Sequence, residues 1–170
     1  FKIALYTGLR REEFLSLKWT SIEYDENDHP VLIKVPNFKV IRLKNDRNRT
    51  VQNIKWVPII PELLKVLIDE LEMNSFKKSD RYILAHDERI ARDQLPLFLS
   101  KAFSHFWYVT GIKRDVRLND LRNTYITKLY IMLGDSAKVI TDHADMETIK
   151  KHYMKAKLIS ETATDFKVFD

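Results

Sequence analysis

Six side chains in this sequence can carry chemistry by type: Arg10, Lys44, Asn119, Arg122, His143 and Tyr153. Arg10 closes Thr7-Gly8-Leu9-Arg10. There a Thr-Gly pair breaks the apolar run of Phe1, Ile3, Ala4 and Leu5 and permits a tight turn. Glu12 and Glu13 follow in what reads as a first helical turn, the end of the helix dipole that favours acids. Phe14, Leu17 and Trp19 can point inward. An arginine at a helix entrance, with packed neighbours on both sides, is well held to aim its guanidinium at a phosphate. Arg122 stands near the start of a second helical pattern, and Asn119 is one of its candidate caps. Lys44 opens a polar hairpin tip, His143 follows a short helix, and Tyr153 closes the last one. Taken singly, each has a plain structural account: a surface arginine, a solvated tip, a cap, an ion pair, a surface histidine, a packing aromatic.

The elements that must position these groups follow from periodicity. From Ile22 to Val57 the chain reads as extended. Ile22-Glu23-Tyr24 leads into the turn-rich Asp25-Glu26-Asn27-Asp28, then the branched run Val31-Leu32-Ile33-Lys34-Val35. Phe38–Leu43 and Val51–Val57 alternate apolar and polar residues as half-buried strands do, around the loop Lys44-Asn45-Asp46-Arg47-Asn48-Arg49. Pro58 and Pro61 stop this small antiparallel sheet. Leu63, Leu64, Leu67, Ile68 and Leu71 then predict a helix from Pro61 to about Met73. A linker over Asn74–Asp80 and a short extended piece at Tyr82-Ile83-Leu84 follow. Asp93 is read as the cap of a helix carrying Leu95, Leu97, Phe98, Leu99, Phe103, Phe106 and Trp107, whose aromatics belong to the core. Asn119 or Asp120 caps a helix over Leu121–Tyr130 that Gly134 ends. Short helices at Ser136–Thr141 and Met146–His152 precede a mixed tail, Ala156–Asp170. The fold class is mainly α (α+β), with the small sheet on one side.

Composition sets the bounds. The 170 residues, 45% hydrophobic and 31% charged, suit one globular domain over 1–170 with no visible boundary or repeat. The absence of cysteine removes disulfides, thiol catalysis and zinc-ribbon sites, and fits a reducing compartment. No stretch is apolar enough to span a bilayer, and no signal peptide is visible. The chain begins at Phe1 inside an apolar pattern and reads as a fragment whose N-terminal part is absent. A net charge of +5 permits nucleic-acid binding without demanding it. Its distribution is more telling: Lys34–Lys55 holds many basic residues and a single acid, Asp46, and Lys113–Lys128 is basic as well.

Together the six groups match a pattern. Thr7-Gly8-Leu9-Arg10 with Glu13, Leu17 and Trp19 resembles the first arginine box of the tyrosine recombinases, the phage-integrase family. Asn119-Asp120-Leu121-Arg122-Asn123-Thr124-Tyr125-Ile126-Thr127 resembles the second box. His143-Ala144-Asp145-Met146-Glu147-Thr148 with Lys151-His152-Tyr153 resembles the closing box. Lys44, ahead of Val57-Pro58-Ile59, resembles the hairpin lysine, with Lys39 as the alternative. The boxes occur in the family's order over essentially the whole chain.

This resemblance implies a C-terminal catalytic domain, lacking its N-terminal core-binding domain, that cleaves and rejoins double-stranded DNA through a 3′-phosphotyrosine ester. Arg10 and Arg122 would clamp the phosphate, Lys44 act as general acid, His143 hydrogen-bond the phosphate, and Tyr153 attack. Glu13 would support Arg10. It implies no cofactor and no metal, no membrane partner, a cytoplasmic, nucleoid-associated enzyme of a phage or mobile element, and a homotetramer on DNA that is monomeric as a fragment. C-terminal segments, here the tail after Tyr153, are often exchanged between protomers. Three positions depart from the family. Asn119 replaces the usual histidine and cannot move protons at neutral pH. Asp142 replaces a glycine. The His143-to-Tyr153 gap is one residue longer than the commonest spacing, which leaves His152 as the alternative occupant of the nucleophile position. A type IB topoisomerase-like enzyme and a non-catalytic DNA-binding remnant are the other classes compatible with these residues.

Overall fold

The computed structural model describes residues 1–38, 54–87 and 89–133. Helices dominate these residues and accompany a three-stranded antiparallel sheet, the mainly α (α+β) arrangement expected. The first helix, α1 (Lys2–Thr7), ends at Gly8, whose φ is 60° and whose N–H returns to the Ala4 carbonyl at 3.1 Å. Thr7 Oγ1 donates to the Ile3 carbonyl (2.6 Å) and accepts the Leu9 N–H (3.2 Å), so the turn is fixed on both sides. Arg10 then caps α2 (Arg11–Leu15) in an extended conformation. Phe14, Leu17 and Trp19 are all buried, as their spacing predicted.

A 3-10 turn (Trp19–Ser21) leads into β1 (Ile22–Tyr24), β2 (Pro30–Pro36) and β3 (Ile54–Pro58), in the order β1-β2-β3. The Asp25 carboxylate organises the β1–β2 turn by accepting the N–H groups of Asn27 (2.9 Å) and His29 (2.8 Å). In the β2–β3 register Ile33 faces Val57 and Val35 faces Lys55. All of the expected strand over Phe38–Leu43 beyond Phe38 itself, the loop Lys44–Arg49 and the start of the run at Val51 lie outside the described residues.

The single helix expected from Pro61 to Met73 is corrected. Pro61 does open α3 (Pro61–Lys65), but the chain widens into a π-helical turn over Val66–Glu70. Glu72 takes a left-handed φ of 56°, and α4 (Met73–Phe76) begins beyond it, where a linker was expected. The wider turn breaks the 3.6-residue period. Leu63 and Leu67 stay in the core, while Ile68, placed there by spacing, is exposed. Tyr82 forms a bridge with Lys18, and the Ile83 N–H donates to the Leu17 carbonyl (2.9 Å), so the short extended piece is present.

Helix α5 (Leu95–Val109) starts after Gln94 rather than at an Asp93 cap. Its core stripe is narrower than expected. Leu95 and Phe103 are buried and Leu99 and Trp107 half-buried, all four residues apart, whereas Leu97, Phe98 and Phe106 are exposed. Among the described residues α5 packs against α2 and α6 through this stripe, and the aromatics off it are exposed. Helix α6 spans Leu118–Leu133, three residues longer at its start than predicted. Asp120 lies inside the first turn and reaches back, its Oδ2 accepting the Arg117 N–H at 2.8 Å. Leu118, Tyr125 and Leu129 bury one face of α6 where it packs against α1, and α2 packs against α5. The elements expected after Leu133 lie outside the described residues.

Candidate active site

Two of these elements converge on one cleft. Arg10 and Arg11, at the entrance of α2, and Asn119 and Arg122, on the first turns of α6, line a cleft of about 440 Å³ with Ser100 of α5 and Arg117. Asn119 and Arg122 are three residues apart, hence on one helix face. Arg122 Nη1 donates to the carbonyl oxygen of Gly8, 114 positions away, in the turn that presents Arg10. Gly8 in turn lies against the Tyr125 ring, where an added Cβ would stand 2.3 Å from Cδ1. The turn and the helix are therefore held together on either side of the cleft. Burial pushes the Tyr125 hydroxyl pKa upward and keeps it protonated.

Arg10 is positioned by Glu13. Glu13 Oε2 accepts the Arg10 backbone N–H at 2.8 Å, and Oε1 lies 3.3 Å from Arg10 Nη1. The Arg10 side chain keeps 32% of its surface exposed, while that of Glu13 is fully buried. A further cation stands beneath: Lys55 Nζ, on the inward face of β3, donates to the same Glu13 Oε1. Burial alone would raise the Glu13 carboxyl. The Lys55 charge and hydrogen bond, then Arg10, outweigh it and hold Glu13 below the usual carboxylate range. Burial is also the largest influence on Lys55, lowering its ammonium to about 8; Glu13 opposes the shift, and the nearby Arg10 and Arg122 charges add to it.

The other arginines of the cleft are engaged differently. Arg11 Nη1 donates to Ser100 Oγ at 2.7 Å, and Arg117 is exposed beside Asp115. Among the described residues Glu12 is the one acid lining the cleft, against four arginines. Such a lining binds an anion, and planar guanidinium groups suit the oxygens of a phosphate. Among the described residues no cluster of three or more His, Asp or Glu side chains is placed to hold a metal. No helix among them is long and apolar enough to cross a membrane.

Of the six groups read from the sequence, Arg10, Asn119 and Arg122 meet in this cleft. Lys44, His143 and Tyr153, with the alternatives Lys39 and His152 and the departure at Asp142, lie outside the described residues. Lys55 escaped the sequence reading because a lysine in an alternating strand reads as a solvent-facing residue. The available signal was that Lys55 shares a strand face with Val57.

A family model described as the phage integrase family matches residues 1–158. No curated protein and no solved structure matches the chain.

Proposed function

Because the chain belongs to the phage integrase family, we propose that it is the catalytic domain of a tyrosine-type DNA recombinase or integrase, acting on double-stranded DNA for a phage or mobile element. The observation that carries this reading is the convergence of Arg10 and Arg122 on one cationic cleft from opposite ends of the described chain. Two guanidinium groups there bind the non-bridging oxygens of a phosphodiester and stabilise the charge that grows as phosphorus is attacked. Asn119 adds a neutral donor to the same oxygens.

In the proposed reaction the Tyr153 phenol oxygen attacks phosphorus, losing its proton, and forms a 3′-phosphotyrosine bond. The bond to the 5′ oxygen breaks, and that oxygen leaves as a hydroxyl after taking a proton from Lys44, or from Lys39 if that is the hairpin lysine. His143 hydrogen-bonds the phosphate. Attack by a 5′-hydroxyl reverses the step and rejoins the strand. The ester conserves the bond energy, so the chemistry draws on no nucleotide cofactor. Assembly on DNA is proposed to be tetrameric, with 1–170 forming one catalytic domain.

A duplex nicked next to the cleavage site tests this reading, because the short fragment diffuses away and traps the covalent adduct. Adduct with the wild-type chain that is absent with Tyr153→Phe supports it. Adduct that persists in Tyr153→Phe and is lost in His152→Ala reassigns the nucleophile. DNA binding with no adduct from the wild type makes the chain a binding remnant. Supercoil relaxation by a monomer identifies the topoisomerase class instead.

A further inference from the structure

Lys55 presents an anomaly that the strand-transfer roles leave unused. It is 4% exposed on a sheet face opposite Val35, and it donates a hydrogen bond to a carboxylate that is itself fully buried. Burying two charges is costly, and well-packed apolar residues at such positions often serve stability as well or better. The arrangement around Glu13 shows what the charge accomplishes. Lys55 and Arg10 share Glu13 Oε1, Lys55 in close contact and Arg10 at a long 3.3 Å. Alone with Arg10, Glu13 would cancel the guanidinium charge and draw it inward. With Lys55 holding the carboxylate, the group of three keeps one net positive charge, and that charge is on the exposed member.

Resting on the strand-transfer reading above, we propose that Lys55 is a positioning residue: by neutralising Glu13 from beneath, it leaves the Arg10 guanidinium free to engage the phosphate. Lys55 does not touch the DNA. It acts through Glu13 on Arg10, and its removal costs cleavage rather than binding, because the Arg10 interaction tightens as charge develops on the phosphate. The charged and titratable groups facing Lys55 among the described residues are Glu13 of α2, Arg10 at its entrance, and Arg122 and Tyr125 of α6.

The test uses the full chain, a nicked suicide duplex and an intact duplex of the same sequence. Single-turnover adduct formation, affinity for the intact duplex and the melting temperature are measured for the wild type, Lys55→Met, Lys55→Arg and Lys55→Met combined with Glu13→Gln. Lys55→Met should form adduct at least about ten-fold more slowly, with affinity within about two-fold of wild type. Lys55→Arg should restore the rate to within about three-fold. The double variant should recover part of the loss, since no carboxylate remains to cancel Arg10. If Lys55→Met fails to fold, the pH profile decides. Wild-type cleavage should fall above pH about 8, where Lys55 loses its proton, while Lys55→Arg stays active to higher pH and both proteins remain folded. Lys55→Met cleaving at the wild-type rate overturns the proposal, as do matching pH profiles for wild type and Lys55→Arg. So does a loss in which rate, affinity and melting temperature fall together. A wild type that forms no adduct defeats the strand-transfer reading itself and takes this inference with it; the outcomes with the Lys55 variants, given a wild type that cleaves, bear on the inference alone.

Discussion

At the entrance of α2, Arg10 is anchored by its backbone, whose N–H is 2.8 Å from Glu13 Oε2, while its guanidinium lies at a long 3.3 Å from Glu13 Oε1. A group held this way is placed without being used up. Arg10→Ala should therefore lower single-turnover cleavage by about 10²–10³-fold, the range for losing one donor to a developing oxyanion, and weaken DNA binding only a few-fold. Equal losses in both measurements would remove its transition-state role. Glu13 carries a stability prediction. Its carboxyl is held below the ordinary 4.5, so its contribution is complete above that value and disappears as pH falls through the depressed one. Glu13→Gln should cost about 3–5 kcal/mol at pH 7, the usual penalty for leaving a buried charge without its partner. The gap to wild type should close in urea unfolding as the solution is acidified. Lys55 gives the same slope in a higher window: its value near 8 in the folded chain lies below the ordinary 10.5. The unfolded chain then holds the proton longer, and stability rises between pH about 8 and 10.5.

Among the elements, the α1–α2 turn and α6 form the unit on which the cleft depends. Gly8 is required there twice, by its left-handed φ and by the Tyr125 ring against its Cα. Gly8→Ala should destabilise the fold by about 2–4 kcal/mol in denaturant titration, combining the backbone penalty with overpacking. Cleavage should fall with it, because Arg10 and the carbonyl that anchors Arg122 move together. Helix α5 gives a contrasting pair. Phe103→Ala should cost about 3–5 kcal/mol, whereas Leu97→Ser should stay within about 0.5 kcal/mol, since Leu97 is 59% exposed. The aromatics at 98 and 106 read as core because composition reports that a helix is rich in aromatics. Which side has a neighbour is decided by α2 and α6. The π turn after Lys65 was hidden for a related reason. Leu63, Leu64, Leu67 and Ile68 satisfy an α-helical spacing, and only the packed structure shows where the ladder widens.

For the whole molecule, the net charge of +5 is modest, but four arginines line one cleft. With Arg10 and Arg122 on one phosphate and Arg11 and Arg117 each on another, affinity for duplex DNA should fall about 40-fold between about 50 and about 200 mM salt. Arg117→Ala should reduce the slope of log K against log salt by about one. A binding constant that barely responds to salt would mean that this cleft is not the DNA-facing surface.

The sequence by itself determined the family pattern, the mainly α (α+β) class, the helix entrance at Arg10 and the inward faces of Phe14, Leu17 and Trp19. Each of these depends on local spacing, on turn chemistry or on residue types repeated in a fixed order. Only the tertiary structure decided that Arg122 is bonded to the Gly8 carbonyl, that Tyr125 fills the space beside Gly8, and that Lys55 lies inward beneath Glu13. These facts join residues from distant parts of the chain. The buried charge of Lys55 has no pattern of its own in the sequence, because what makes it tolerable is a carboxylate contributed by another element.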